Sequence, residues 1–293
     1  MHSRPEFCVS ILNFYLKTYI MNIKKLQLLI LCLAGSFALQ AQPLEKLWET
    51  DTILKVPECV VIDAQRNILY VSNIGSRPIA DGNGSVGKLS REGKIIELEW
   101  VKGLNAPKGM ALVGNQLYVA EPFAVVVIDV ETGKKTASIK IENAGMLNDV
   151  GAAPNGDVYV SDSRGGKIYV IRNGKPEMVI ENLENPNGVL FTQGKLHFVA
   201  KGSLYVMEGS DKKLIAEGME QSTDAVEQMA NGDFLISCWS GIVYIVTPAG
   251  EKTTILDTRE QKVNAADIGW DVKKRIMYVP TFWKNKVVAY KIM

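Results

Sequence analysis

Three acids, two amides and one lysine recur through this sequence at nearly even spacing. Together they could hold a cation or drive a hydrolysis. Glu58, Lys108, Asn148, Asn187, Asp224 and Asp267 are separated by 50, 40, 39, 37 and 43 residues. Carboxylate and amide oxygens suit a hard ion such as Ca2+, and no Cys/His cluster points to zinc. Two carboxylates about 4 Å apart repel by roughly 4 kcal/mol at an effective dielectric near 20. Converging acids therefore need a metal ion, a proton or the lysine. A metal-free ring, balanced by Lys108 and backbone amides, is the competing reading.

The elements that must gather these residues are short strands. Each polar residue is followed, after ten to twelve positions, by an apolar run rich in β-formers. The runs are Tyr70-Val71-Ser72, Tyr118-Val119-Ala120, Tyr159-Val160-Ser161, His197-Phe198-Val199, Phe234-Leu235-Ile236 and Tyr278-Val279-Pro280. A period of about 40 residues built from strands is the signature of a β-propeller, whose equivalent positions meet around one axis. The sequence predicts an all-β fold, a six-bladed propeller with four strands per blade. Asn155-Gly156, Asn173-Gly174 and Asn231-Gly232 fall between predicted strands, where hairpin turns need positive φ. Only five fourth strands are found, and the chain stops after the third strand of the sixth blade. Leu44–Thr50, which precedes blade 1, is expected to supply the missing strand and close the circle.

The domain expected is 42–293. Residues 21–41 read as a secretory signal, with lysines at 24 and 25, an apolar run and small residues near Ala41. Residues 1–20 read as an extension ahead of the native start. The protein is thus expected to be exported, periplasmic or extracellular, without a membrane span and monomeric. Cys8 and Cys32 would leave with the leader, and Cys59 and Cys238 are expected as buried free thiols. With 33 basic and 32 acidic residues, the chain lacks the basic field that nucleic acid or an anionic membrane would require. No phosphate loop is present. The loop from Ile74 to Val86 lacks the spaced carboxylates of an EF-hand and reads as solvated.

Four short runs carry a resemblance: Pro57-Glu58-Cys59-Val60-Val61, Leu147-Asn148-Asp149-Val150, Pro186-Asn187-Gly188-Val189 and Thr223-Asp224-Ala225-Val226. In this order and spacing they resemble the signatures of the senescence-marker-protein/gluconolactonase (regucalcin-like) family. The resemblance implies a six-bladed propeller with one divalent ion, usually calcium, in its channel, and a lactone or ester as substrate. It implies Glu58, Asn187 and Asp224 as the metal ligands and places Asn148 beside the substrate. Met146 stands where sugar-lactonases of the family carry an arginine, which weakens the case for a polyhydroxylated lactone. Lys108 could polarise a carbonyl, hold a substrate carboxylate or pair with Glu58. The only histidine after the leader is His197, so a Ser-His-Asp triad is hard to assemble. Hydrolysis would rely on the ion as Lewis acid and on a carboxylate base, Asp224 first and Asp267 second. A non-catalytic propeller of the NHL type, binding a protein or glycan on its loop face, is the alternative.

Overall fold

Alternating apolar residues and positive-φ turns every few positions fold this chain into six antiparallel sheets. The computed structural model describes residues 44–77 and 79–293, and the expected signal segment and extension lie outside them. Every sheet has four strands. Blade 1 comprises β2 (Pro57–Asp63), β3 (Ile68–Asn73), β4 (Gly84–Ser90) and β5 (Ile95–Leu104). Blade 2 comprises β6 (Met110–Val113), β7 (Gln116–Glu121), β8 (Ala124–Asp129) and β9 (Lys135–Lys140). Blade 3 runs β10 (Leu147–Ala152), β11 (Val158–Asp162), β12 (Lys167–Arg172) and β13 (Lys175–Ile180). Blade 4 runs β14 (Pro186–Thr192), β15 (Lys195–Ala200), β16 (Ser203–Glu208) and β17 (Asp211–Ala216). Blade 5 runs β18 (Thr223–Gln228), β19 (Phe234–Cys238), β20 (Ile242–Val246) and β21 (Lys252–Asp257).

Blade 6 has β22 (Gly269–Asp271), β23 (Ile276–Pro280) and β24 (Val287–Ile292), and its fourth strand is β1 (Leu44–Glu49). The closure expected from the sequence is therefore present. Leu44 pairs with Ile292 and Glu49 with Val288, and Thr50 N–H donates to the Val287 carbonyl at 3.0 Å. Trp48 fixes the strand from its side chain. Its ring lies 5.7 Å from Tyr278, its Nε1–H donates to the Arg91 carbonyl at 3.1 Å, and Arg91 pairs with Asp271 of blade 6. One amphipathic strand thus joins the last blade to the first and removes a free edge.

Second and third strands are almost wholly buried, since each blade packs against a neighbour on both faces. Tyr70, Val119, Val160, Phe198, Leu235 and Tyr278, all on second strands, are nearly inaccessible. The fourth strands are mostly exposed or half-buried, and in Lys252–Asp257 the two classes alternate over most of the strand. Asn173 and Gly174 both have positive φ (50° and 74°), the backbone a two-residue hairpin turn requires. Cys59 and Cys238 are buried and unbridged, as expected.

Candidate functional site

Four of the six recurring polar residues occupy β-bulges at the start of an innermost strand. In blade 1 the ladder passes from the Pro57–Asn73 pair to Cys59–Ser72, leaving Glu58 as the extra residue. In blade 3 Asn148 and Asp149 oppose one residue, Ser161, between the Leu147–Asp162 and Val150–Val160 pairs. Asn187-Gly188 in blade 4 and Asp224-Ala225 in blade 5 repeat the pattern. A bulge adds a residue to one strand and re-aims its side chain.

The bulge frees a backbone N–H that the ladder no longer satisfies, and a serine on the second strand accepts it. Cys59 N–H donates to Ser72 Oγ at 3.0 Å, Asp149 N–H to Ser161 Oγ at 2.9 Å and Ala225 N–H to Ser237 Oγ at 2.9 Å. Blade 4 has Val199 at that position. There the Asp149 carboxylate reaches across from blade 3 and accepts the Val189 N–H at 2.7 Å. Asp149 is therefore a brace between blades. Close approach also depends on Gly188, where a Cβ would come within 2.3 Å of the Asp224 carbonyl oxygen of blade 5.

Glu58, Lys108, Asn148, Asn187 and Asp224 line one cavity of about 220 Å3, with Asn185, Ser222, Thr223, Trp239 and Phe282. All five candidates from the blade repeat other than Asp267 are thus brought together. Lys108 Nζ lies 3.5 Å from Glu58 Oε1, Asn148 Nδ2 donates to Ser163 Oγ at 3.0 Å, and Asn187 Nδ2 donates to Asp224 Oδ1 at 2.6 Å. Two buried acceptors in this set have no hydrogen-bond partner: Glu58 Oε2 and Asn187 Oδ1. Burial pushes the Glu58 carboxyl up to about 7, against the pull of Lys108 and with the Asp149 charge adding to it. Burial, and then the charge of Glu58, holds Asp224 well above the usual carboxylate range. Lys108 alone does not neutralise the acids around it.

Asp267, the second candidate for a base, does not line this cavity. Blade 6 has no bulge there. Its backbone bridges to blade 1, with Asp267 N–H donating to the Glu58 carbonyl at 2.9 Å. Its side chain belongs to a separate cavity of about 260 Å3, lined also by Asp149 and Glu227. Nearly even sequence spacing therefore ended in two cavities. His197 lies on β15, its ring tilted at 40° and 5.0 Å from Phe234, and lines neither cavity.

The cation test rests on the donor set. Two carboxylates and an amide oxygen, two of their atoms buried without a partner, have the chemistry of a hard divalent ion's ligands. Among the described residues no three His, Cys, Asp or Glu side chains form a cage by themselves. Asn187 is the third donor of this set, and Asn falls outside that residue class. The residues fit a divalent cation held through Glu58, Asn187 and Asp224, with solvent or substrate completing its shell.

Trp239 and Phe282, which form one wall of the cavity, carry no sequence period and escaped the repeat-based reading. So did the serines behind the bulges, although Ser72 and Ser161 stand in the strand runs that reveal the repeat.

The fold and its bulged inner strands define a six-bladed β-propeller. No family model matches the sequence, and no curated protein matches it. Solved structures do. A gluconolactonase of Xanthomonas campestris superposes with a TM-score of 0.68 at 14% identity, over 88% of this chain and 94% of its own. A structure described as a putative gluconolactonase gives 0.65 at 16% identity, over 85% and 91%. A catalytically inactive histidine-to-alanine variant of Staphylococcus aureus virginiamycin B lyase, bound to quinupristin, gives 0.60 at 13%, over 85% and 99%. At these identities the likeness establishes the shared fold, the same one the gluconolactonase-like motifs had implied.

Proposed function

We propose that this protein is an exported hydrolase of lactones or related esters, working with a divalent cation, Ca2+ in the simplest case. The observation that carries the reading is the pair of unpartnered buried oxygens, Glu58 Oε2 and Asn187 Oδ1, in a cavity that also holds Asp224, Asn148 and Lys108. The gluconolactonase-like runs and the two gluconolactonase neighbours support it at the level of substrate class.

Glu58, Asn187 and Asp224 would hold the ion, which when bound supplies Lewis acidity and lowers the barrier to water attack. Asp224 is the general base. Its Oδ1 accepts the Asn187 amide and keeps a second lone pair that would face the ion, which leaves the other oxygen to accept a proton from water. Asn148 is held by Ser163, whose own hydroxyl donates to the Pro186 carbonyl at 2.6 Å, so its carboxamide presents a fixed edge to a substrate. Lys108, 3.5 Å from Glu58, places a positive charge beside the oxygen that gains negative charge as the ester carbonyl is attacked.

Elemental analysis of the purified chain, with hydrolysis of a lactone panel by wild type and Asp224→Asn, tests this. Near-stoichiometric divalent metal, and turnover lost in the variant, are expected. Absence of metal together with no turnover on any lactone would replace this reading with the non-catalytic propeller. For that alternative, the Lys108–Glu58 contact is the relevant observation, because it partly balances the ring without any ion.

A further inference from the structure

The cavity has two unlike walls. Blades 1 to 4 contribute Glu58, Lys108, Asn148 and Asn187, all polar. On the other side stand Trp239, after β19 of blade 5, and Phe282, after β23 of blade 6, with ring centroids 5.4 Å apart and planes at 79°. Phe282 is buried, and its far side packs into a cluster of Val56, Ile74, Ala106 and Ala266. Its φ is +46°, a conformation in which a bulky non-glycine residue is a genuine outlier. It is held by a single turn closed by Lys284 N–H to the Thr281 carbonyl and Asn285 N–H to the Phe282 carbonyl, both at 3.0 Å. Backbone strain of this kind persists where surroundings over-determine it, and it gathers at ligand clamps.

Trp239 is the more exposed partner of that buried ring. It lines the cavity and is 38% exposed, and its carbonyl accepts the Asn264 amide at 2.8 Å, which fixes its backbone. A large aromatic left open beside a polar cavity, braced edge-on by a buried phenyl ring, offers a flat apolar face. Among the described residues Lys108 is the only cation lining the cavity. Besides Asp224, which belongs to the ion-binding set, the polar residues lining the aromatic side are Ser222 and Thr223, and Thr223 is buried with its hydroxyl accepting the Gly202 N–H at 3.2 Å; Asn185 enters from the connection into blade 4.

From this division we infer that the substrate is amphipathic: its ester lies against the polar wall, and an aromatic or ring-fused apolar group stacks on Trp239. Trp239 is the specificity-determining residue and Phe282 positions it. The inference rests on the cavity being the substrate site proposed above and deepens that reading from lactones in general to aryl or benzo-fused ones.

The test separates the two claims by using ligands that are not turned over. Calorimetric binding to the full-length exported chain, with Ca2+ present, compares a benzo-fused six-membered lactam with a polyhydroxylated glyconolactam. The wild type is expected to prefer the benzo-fused lactam. Trp239→Ala is expected to weaken that ligand about tenfold, the upper range of an aromatic contact, and leave the glyconolactam unchanged. Trp239→Phe is expected to restore most of the loss. Phe123→Ala, at an exposed ring on blade 2 outside this cavity, is expected to change neither. Equal or tighter binding of the glyconolactam, no detectable binding of either, or a Trp239→Ala effect on both alike would overturn the inference. Lactone turnover with such a result would still leave the hydrolase standing, whereas preserved aryl selectivity without turnover or metal would sink the hydrolase and keep the subsite.

Discussion

Asn187 Nδ2 donates to Asp224 Oδ1 at 2.6 Å, so the carboxamide oxygen of Asn187 is turned away to a place where no protein donor meets it. The acid sets this orientation, since the flipped amide would press two acceptor oxygens together. A neutral residue is thereby made to offer its oxygen, beside a carboxylate and across from Glu58, whose Oε2 is equally unpartnered.

Opposite signs are expected for Asp224→Asn with and without Ca2+. In the absence of the ion the amide removes a buried charge, and the variant should be at least as stable as wild type, by about 1 kcal/mol or more. With Ca2+ at about one hundred times its Kd, wild type should gain about 2.7 kcal/mol while the variant gains little. Thermal unfolding with EDTA and with Ca2+ reads both. A variant that is less stable in both conditions would mean that Asp224 is held by protein contacts alone.

Gly188→Ala should damage the site without altering any of its polar groups. The new Cβ would meet the Asp224 carbonyl oxygen at 2.3 Å and the Val226 nitrogen at 2.8 Å, both backbone atoms that cannot swing aside. Blades 4 and 5 would have to separate, at a cost of about 1–3 kcal/mol. Asn187 and Asp224 would part with them. Denaturant midpoints together with Ca2+ titration check the pair of effects. Unchanged ion affinity would show that the bulges, not blade spacing, set the ligand geometry.

Much of this architecture was legible in the sequence because a propeller repeats its inner strands. The spacing of Glu58, Asn148, Asn187 and Asp224 tracks the bulges, and the absence of a fourth strand after Val287–Ile292 foretold the closing role of Leu44–Glu49. What did not show was the division into two cavities. Asp267 falls in step with the other five, yet without a bulge its backbone pairs with Glu58 and the residue lines the second cavity. The aromatic wall was equally silent, since Trp239 and Phe282 follow second strands in two blades only and repeat nowhere else. Loops escape periodicity because their residues are not copied from blade to blade.

The bulge serines should differ in cost. Ser237 Oγ accepts the Ala225 N–H at 2.9 Å and donates to the Ala266 carbonyl of blade 6 at 2.7 Å, so it serves two blades. Ser72 Oγ accepts the Cys59 N–H within blade 1. Alanine at either site strands a buried N–H, at about 1–3 kcal/mol. Ser237→Ala should be the more destabilising of the two, and should raise amide exchange in both blade 5 and blade 6. Equal losses confined to one blade would argue that the inter-blade bond carries no weight.

Glu227 gives the fold a pH dependence distinct from the candidate site. It lines the second cavity with Asp149 and Asp267, where burial first, and then the Asp149 charge, pushes its carboxyl up to about 8. Burial likewise raises Asp149 to about 6. A folded-state value above the unfolded one means that the native protein prefers the protonated acid. The associated stability is fully present below the unfolded value of about 4.3 and is lost as pH rises through about 8. Glu227→Gln, which keeps the shape and removes the charge, should therefore be more stable than wild type at pH 9, by on the order of 2–4 kcal/mol. The two should converge near pH 4. Unfolding midpoints from pH 4 to 9 measure the gap. A gap that stays constant with pH, or widens as pH falls, would place the Glu227 carboxylate in a solvated or cation-paired setting in the native state, contrary to its half-buried place in the cavity lining.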